Sequence, residues 1–166
     1  MNSLSKTYAM TGWRVGFLAA PAEVIGRALK ASQNSITCVA PFVQKAAAFA
    51  LSDPAVQEET ARMRSAYGRR RERVLRIAAE AGGQVGVAAP RGAFYFFLDF
   101  RHLGLGSVEI CEGILEEEGV GLVPGSAFGA QGEGFVRMSI AASDEEVEAG
   151  FRRILAWAGR QKGRRA

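Results

Sequence analysis

No apolar run in this chain comes near the ~20 residues that a helix needs to cross a bilayer. Polar residues and Lys6 follow Met1 where a secretion signal would place an apolar core. A cytoplasmic protein without a membrane partner is the expectation. Histidine is nearly absent. His102 stands alone, which leaves a histidine-based zinc site without a second ligand, and no metal is expected. The two cysteines, Cys38 and Cys111, lie far apart without metal-type spacing and read as buried, reduced thiols. Excess positive charge is lacking outside the end of the chain. The tail RQKGRRA carries Arg160, Lys162, Arg164 and Arg165, the whole of the +4 formal charge, and leaves 17 cationic against 17 anionic side chains elsewhere. A nucleic-acid reader carries its excess on a folded face. Here it sits in a tail expected to fray, so no nucleic-acid partner is expected. Repeats and low-complexity linkers are lacking too. What remains, 48% hydrophobic and 23% charged residues, suits a folded globular chain rather than a disordered one.

The chain is written in two styles. In the first, WRVGFLAA alternates and then runs apolar, a short strand over residues 13–19. Pro21 suits the first turn of a helix, and PAEVIGRALKAS spaces Val24, Ile25, Ala28 and Leu29 helically. PFVQKAAAFALS is a second apolar helical run. Asp53 then caps, and Pro54 starts, a long helix that ends at Gly82 and Gly83. Its contact face comprises Val56, Met63, Tyr67, Val74, Ile77 and Ala78, with a bend marked by Gly68. After that the period changes. GQVGVAAPRGAFYFFLDF gives two strands around Pro90, Arg91 and Gly92. SVEICEGILEEEG is a helix capped by Ser107 and stopped by Gly119. VGLVPGSAFG is a short strand entering a glycine-rich loop, and EGFVRMSIAA is another strand. SDEEVEAGFRRILAWAGR is a helix capped by Ser143, acidic first and basic last, as the helix dipole favours. Residues 83–160 thus form a β-β-α-β-β-α unit able to bury its own core. The one strand and two apolar helices at the start cannot complete a sheet layer alone.

Two cationic residues near the start need a reason: Lys6 among small and hydroxylic residues, and Arg14 between Trp13 and Val15. A loop lysine is ordinarily solvated, and an arginine at a strand edge ordinarily pairs with a carboxylate. Yet lysine is the side chain whose primary amine condenses with an aldehyde, and burial or neighbours can lower its pKa into a useful range. A guanidinium is a two-pronged donor matched to phosphate oxygens. Arg137, on the last strand, stays open between a structural reading, as a partner of Glu133 or Glu145, and a functional one. Phe94 lies in an aromatic run that is mostly core. Tyr95, Phe96 and Phe97 read as core outright.

The string Ser3-x-Ser5-Lys6-x-x-Ala9-Met10-x-Gly12-x-Arg14-Val15-Gly16 resembles the cofactor-attachment signature of the class I/II aminotransferases, fold-type I enzymes that use pyridoxal 5′-phosphate (PLP). LVPGSAFGAQGEGFVRMSIA and PRGAFYFFLDF resemble later parts of the same family. The resemblance implies that Lys6 joins the cofactor's aldehyde and shuttles the substrate α-proton. It implies that Arg14, Ser3 and Ser5 hold the phosphate, with Gly12 and Gly16 giving the backbone room around it. Arg137 would take the substrate α-carboxylate, Phe94 would border the substrate side chain, and PGSAFG would help close the site. Amino acid and 2-oxo acid substrates follow, and a homodimer in the complete protein.

In that family a large domain before the lysine supplies an aspartate for the pyridine nitrogen and an aromatic over the ring. Five residues precede Lys6 here, so the chain is expected to be an incomplete piece, inactive alone. The expected fold is α/β: a C-terminal remnant of the large PLP domain (one strand plus helices) over residues 1–65, then a long linking helix and an α+β small domain with a short sheet within 66–166. The small domain is expected to fold, and the first segment to be disordered, swapped between copies or aggregated. Amino-group transfer leads. A β-lyase or carbon–sulfur lyase on the same scaffold, and a non-catalytic effector or interaction domain, are the alternatives.

Overall fold

The computed structural model describes residues 1–165, the side chains of Lys162, Arg164 and Arg165 excepted. The chain divides into two units, Met1–Arg64 and Ser65–Ala166.

The first unit opens with β1 (Asn2–Ser3) and β2 (Gly16–Phe17), antiparallel, with Asn2 opposite Phe17 and Ser3 opposite Gly16. Helices α1 (Ala22–Ser35) and α2 (Pro41–Ser52) follow, and α3 (Pro54–Glu80) begins. The single strand expected over residues 13–19 is therefore replaced by two strands of two residues. Thr11–Trp13 form a 3-10 turn, and Arg14 holds a left-handed φ of 52°, so extended backbone starts only beyond it. A strand lasts as far as its hydrogen-bonding partner, and Asn2–Ser3 offers two residues. A Cβ on Gly16 would meet the Asn2 carbonyl at 2.7 Å, so this glycine serves strand pairing, whereas a Cβ on Gly12 would meet open space. Leu4, Met10 and Val15 are buried with Val43, Ala47 and Ala50 of α2. These apolar anchors tie the opening segment to α2. No residue of α1 is buried.

In the second unit α3 runs without interruption through Gly68, where a bend was expected, and ends at Gly82 and Gly83, both left-handed. At its start the Asp53 carboxylate accepts the Ala55 N–H at 2.9 Å. The sheet contains β3 (Gly86–Val87), β4 (Tyr95–Asp99), β5 (Val123–Pro124) and β6 (Phe135–Ser139), antiparallel throughout in the order β3-β4-β6-β5. Helices α4 (Ser107–Glu118) and α5 (Asp144–Arg165) complete it. Side chains alternate across a strand. One face of the sheet therefore sends Phe96, Leu98, Val136 and Met138 into a cluster with Val74 and Ile77 of α3, Ile110 and Ile114 of α4, and Phe151, Ile154 and Trp157 of α5.

The caps show where local sequence decides and where it does not. Ser143 and Glu146 form a reciprocal box: the Ser143 hydroxyl accepts the Glu146 N–H at 3.1 Å, and the Ser143 N–H donates to the Glu146 carboxylate at 3.0 Å. Gly119 ends α4 in the left-handed conformation. Ser107, expected as the α4 cap, is instead its first helical residue, and its N–H donates to the Glu133 carboxylate at 2.6 Å. A distant acid thus satisfies an N–H that helix geometry leaves open. The tail expected to fray is helical to Arg165, and Arg160 bonds Glu117 at 3.1 Å and also Glu118. The charges expected on Lys162, Arg164 and Arg165 lie outside the described side chains. Cys111 is buried, and desolvation, assisted by nearby Glu112, pushes its thiol up to about 11. Cys38, expected to be buried, is exposed in the connection between α1 and α2. Among the described residues no helix is long and apolar enough to cross a membrane.

Candidate functional site

In the loop between β1 and β2, three apolar side chains, Leu4, Met10 and Val15, go into the small cluster and leave the polar ones at the surface. The loop is tied internally. Leu4 N–H donates to Val15 O at 3.3 Å, Tyr8 N–H to Leu4 O at 3.2 Å, and the Thr11 hydroxyl to Ser5 O at 2.9 Å. Ser3 Oγ accepts the Ser5 N–H at 3.1 Å and donates to Ser5 Oγ at 3.0 Å. Ala9 and Arg14 hold left-handed backbones, at φ 53° and 52°. For residues with a Cβ this costs on the order of 1 kcal/mol each, strain of a kind that concentrates at functional loops.

Ser3, Ser5 and Arg14 come together around an open cavity of ≈ 580 Å³, with Asn2, Gly16 and Phe17 also in its wall. No carboxylate lines it. Arg14 Nη1 donates to the Thr11 carbonyl at 3.0 Å, so the carboxylate pair of an ordinary strand-edge arginine is not what holds it. One guanidinium and two hydroxyls around an open cavity make a donor-rich setting for an anion. Lys6 follows Ser5 in the same turn, is exposed, and is not part of the cavity wall.

The second unit places a cation among aromatic rings. Arg137 on β6 is half-buried and faces Phe97 of β4 in the ladder. The acid partners weighed for it do not serve: the Glu133 carboxylate is bonded to the Ser107 and Gly134 N–H groups, which hold its pKa below the ordinary value, and no carboxylate is bonded to Arg137 among the described residues. Its guanidinium carbon lies 4.3 Å from the Tyr95 ring centre and 4.8 Å from that of Phe128. Phe128 meets Phe97 edge-on at 6.0 Å, and Phe97 stacks on Phe135 at 5.0 Å.

The family model described as aminotransferase class I and II matches residues 1–154. The chain belongs to the class I and II aminotransferase family. It is 44% identical over 154 residues to the aromatic-amino-acid aminotransferase 2 of Thermococcus litoralis, covering 93% of this chain and 39% of that protein, with the same figures for an aspartate aminotransferase of Pyrococcus abyssi. The crystal structure of an aromatic aminotransferase from Pyrococcus horikoshii superimposes with a TM-score of 0.90 at 42% identity, covering 96% of this chain and 42% of that one. The chain spans about two fifths of the length of these aminotransferases.

For this member of the family the expected site residues fall in two sets. Ser3, Ser5 and Arg14 share a cavity in the first unit, next in sequence to Lys6. Arg137 and Phe94 belong to the second unit, where Phe94 is half-buried and stacks on Tyr67 at 5.6 Å. Tyr95 and Phe97, expected in the core with Phe96, are corrected: only Phe96 is inside, and Phe97 is 37% exposed. The period of two along β4 forces this, because residues flanking a buried one face the other way. That alternation was the available signal for Tyr95, one of the two rings beside Arg137. Phe128 had no comparable signal, because it ends a four-residue 3-10 turn, Gly125–Phe128, outside any strand period.

Proposed function

We propose that this chain carries the lysine and the anion-holding residues of a PLP-dependent aminotransferase, which moves an amino group from an amino acid to a 2-oxo acid. The observation that carries the reading is the cavity of Ser3, Ser5 and Arg14 beside the one lysine of the loop. The donor set fits a phosphate: hydroxyls and a guanidinium, with no carboxylate in the wall. When bound, PLP supplies an aldehyde and an electron-withdrawing ring. Ser3, Ser5 and Arg14 hold the phosphate, and Lys6 provides the amine of attachment. A neutral Lys6 accepts a proton at Nζ and returns it, so one side chain acts as base and then as acid. Arg137 binds the substrate carboxylate through paired N–H donors, and Phe94 borders the substrate side chain. Relatives named for amino-group transfer support transfer over lyase chemistry. Residues 1–65 belong, on this reading, to the PLP-binding domain and 66–166 to the smaller one, in a cytoplasmic homodimer.

The test uses the chain itself. After incubation with PLP and reduction with borohydride, peptide mapping should find the label at Lys6. Arg14→Ala should lower its yield at limiting PLP. Equal labelling of Lys30, Lys45 and Lys162 would overturn the assignment.

A further inference from the structure

Three half-buried arginines of the second unit have acidic partners: Arg70 has Asp144, Arg71 has Glu72, and Arg73 has Glu148. Arg137, also half-buried, has aromatic rings instead. Removing a cation from water without compensation is unfavourable. A ring face within about 6 Å offsets part of that through its quadrupole, and it does so without occupying an N–H donor. An acid partner would occupy the donors.

Both rings are held in place from behind. Tyr95 packs on Phe94 at 4.4 Å. Phe128 sits on a loop whose neck is locked: a Cβ on either Gly125 or Gly132 would collide with the other's carbonyl, so the two backbones cross in direct contact. The same loop is tied to the start of α4, where Ser107 Oγ bonds Ser126 Oγ at 3.0 Å and Glu133 accepts the Ser107 N–H. Phe97 then meets Phe128 edge-on.

We propose that Tyr95 and Phe128 are positioning residues, which hold the Arg137 guanidinium against their rings in place of an acid and so keep its N–H donors open to a substrate carboxylate. This rests on the reading of Arg137 as the carboxylate binder. Tyr95 and Phe128 act through Arg137 and need not touch the substrate. The aromatic character of each ring is what matters, so Tyr95→Phe and Phe128→Tyr should substitute for the native residues, whereas leucine should not.

The test follows the Arg137 Nε–Hε resonance of the isotopically labelled chain during titration with 2-oxoglutarate. In the native chain this signal should be displaced by ring currents and should respond saturably, unlike that of exposed Arg152. Tyr95→Leu and Phe128→Leu should move it towards the position of an exposed arginine and weaken binding roughly three- to tenfold. Tyr95→Phe and Phe128→Tyr should preserve both. Dispersed methyl signals of Ile114 and Val136 report that the core is intact. Where a leucine variant loses them, Phe128→Ala, at an exposed loop position, is judged by the same criteria. Native affinity in the leucine or alanine variants overturns the positioning role and leaves Arg137 as the binder. A native chain whose Arg137 responds no more than Arg152 overturns the binder, and the positioning role with it.

Discussion

Helices α1 and α5 are both amphipathic by sequence, yet α1 buries none of its residues while α5 buries Val147, Phe151, Ile154, Leu155, Trp157 and Ala158. The same contrast runs through the two units. The first has a cluster of six buried side chains, and Leu29, Ile36, Phe42 and Phe49 stay exposed. The second gathers three helices and one sheet face on nineteen buried residues. An apolar stripe yields roughly 25 cal/mol for each Å² it removes from water, and only against another surface. A pattern in the sequence is therefore a capacity for burial. The second unit realises it within itself, and the first realises little of it.

The largest effect should come from Phe151→Ala, which deletes a fully buried ring and should cost about 3–5 kcal/mol in thermal melts followed by Trp157 fluorescence. A loss below about 1 kcal/mol would break the claim that this core holds the second unit together.

Acid comes next. Five carboxylates of the second unit have pKa values held below their ordinary range: Asp99 by Arg101, Glu133 by the Ser107 N–H, Asp144 by Arg70, Glu146 by the Ser143 N–H and Glu148 by Arg152. A carboxyl with a lower pKa folded than unfolded stabilises the fold fully above its unfolded value, and loses that contribution as pH falls through the folded one. The ordinary values are 3.8 for Asp and 4.5 for Glu, so the melting temperature of the second unit should begin to fall as pH drops below that range. Asp144→Asn should flatten part of the slope. Glu133 and Glu146 are exposed and Asp99, Asp144 and Glu148 half-buried, so solvent screens each contribution.

Ser143→Ala removes one half of a capping box and should cost about 1 kcal/mol in chemical denaturation. The smallest effect belongs to the first unit. Phe42 is 69% exposed, and Phe42→Ala should change stability by less than about 0.5 kcal/mol in the same experiment. A larger loss would show that its ring is covered in solution, and the comparison of the units would have to be redrawn.

Particular residues show how far the sequence could be read. Asp53, Gly82, Gly119 and Ser143 punctuate helices as expected, because a cap or a left-handed stop acts within a few residues of itself. The cap of α4 was not legible: Glu133 supplies it from 26 positions away. The strand expected over residues 13–19 shrank because its length depends on a partner, and its partner is two residues long. At the site, the order of Ser3, Ser5, Lys6 and Arg14 was legible as a string, and the cavity brings together three of the four. Arg137 could not be decided from its neighbours in sequence, since Glu133 was as near a candidate as any.

The sequence by itself determined the order and kind of the long elements, the family, and the amine, hydroxyl and guanidinium groups available to the chemistry. These follow from short-range rules: periodicity, capping and residue type. Only the tertiary structure decided that Glu133 goes to the α4 N-terminus and that Tyr95 and Phe128 go to Arg137. Which groups meet, whether 26 residues apart as Ser107 and Glu133 or across the loop before β6 as Phe128 and Arg137, is set by packing of the sheet, its loops and its helices, and ring faces reach a cation only once β4, β6 and that loop are in register.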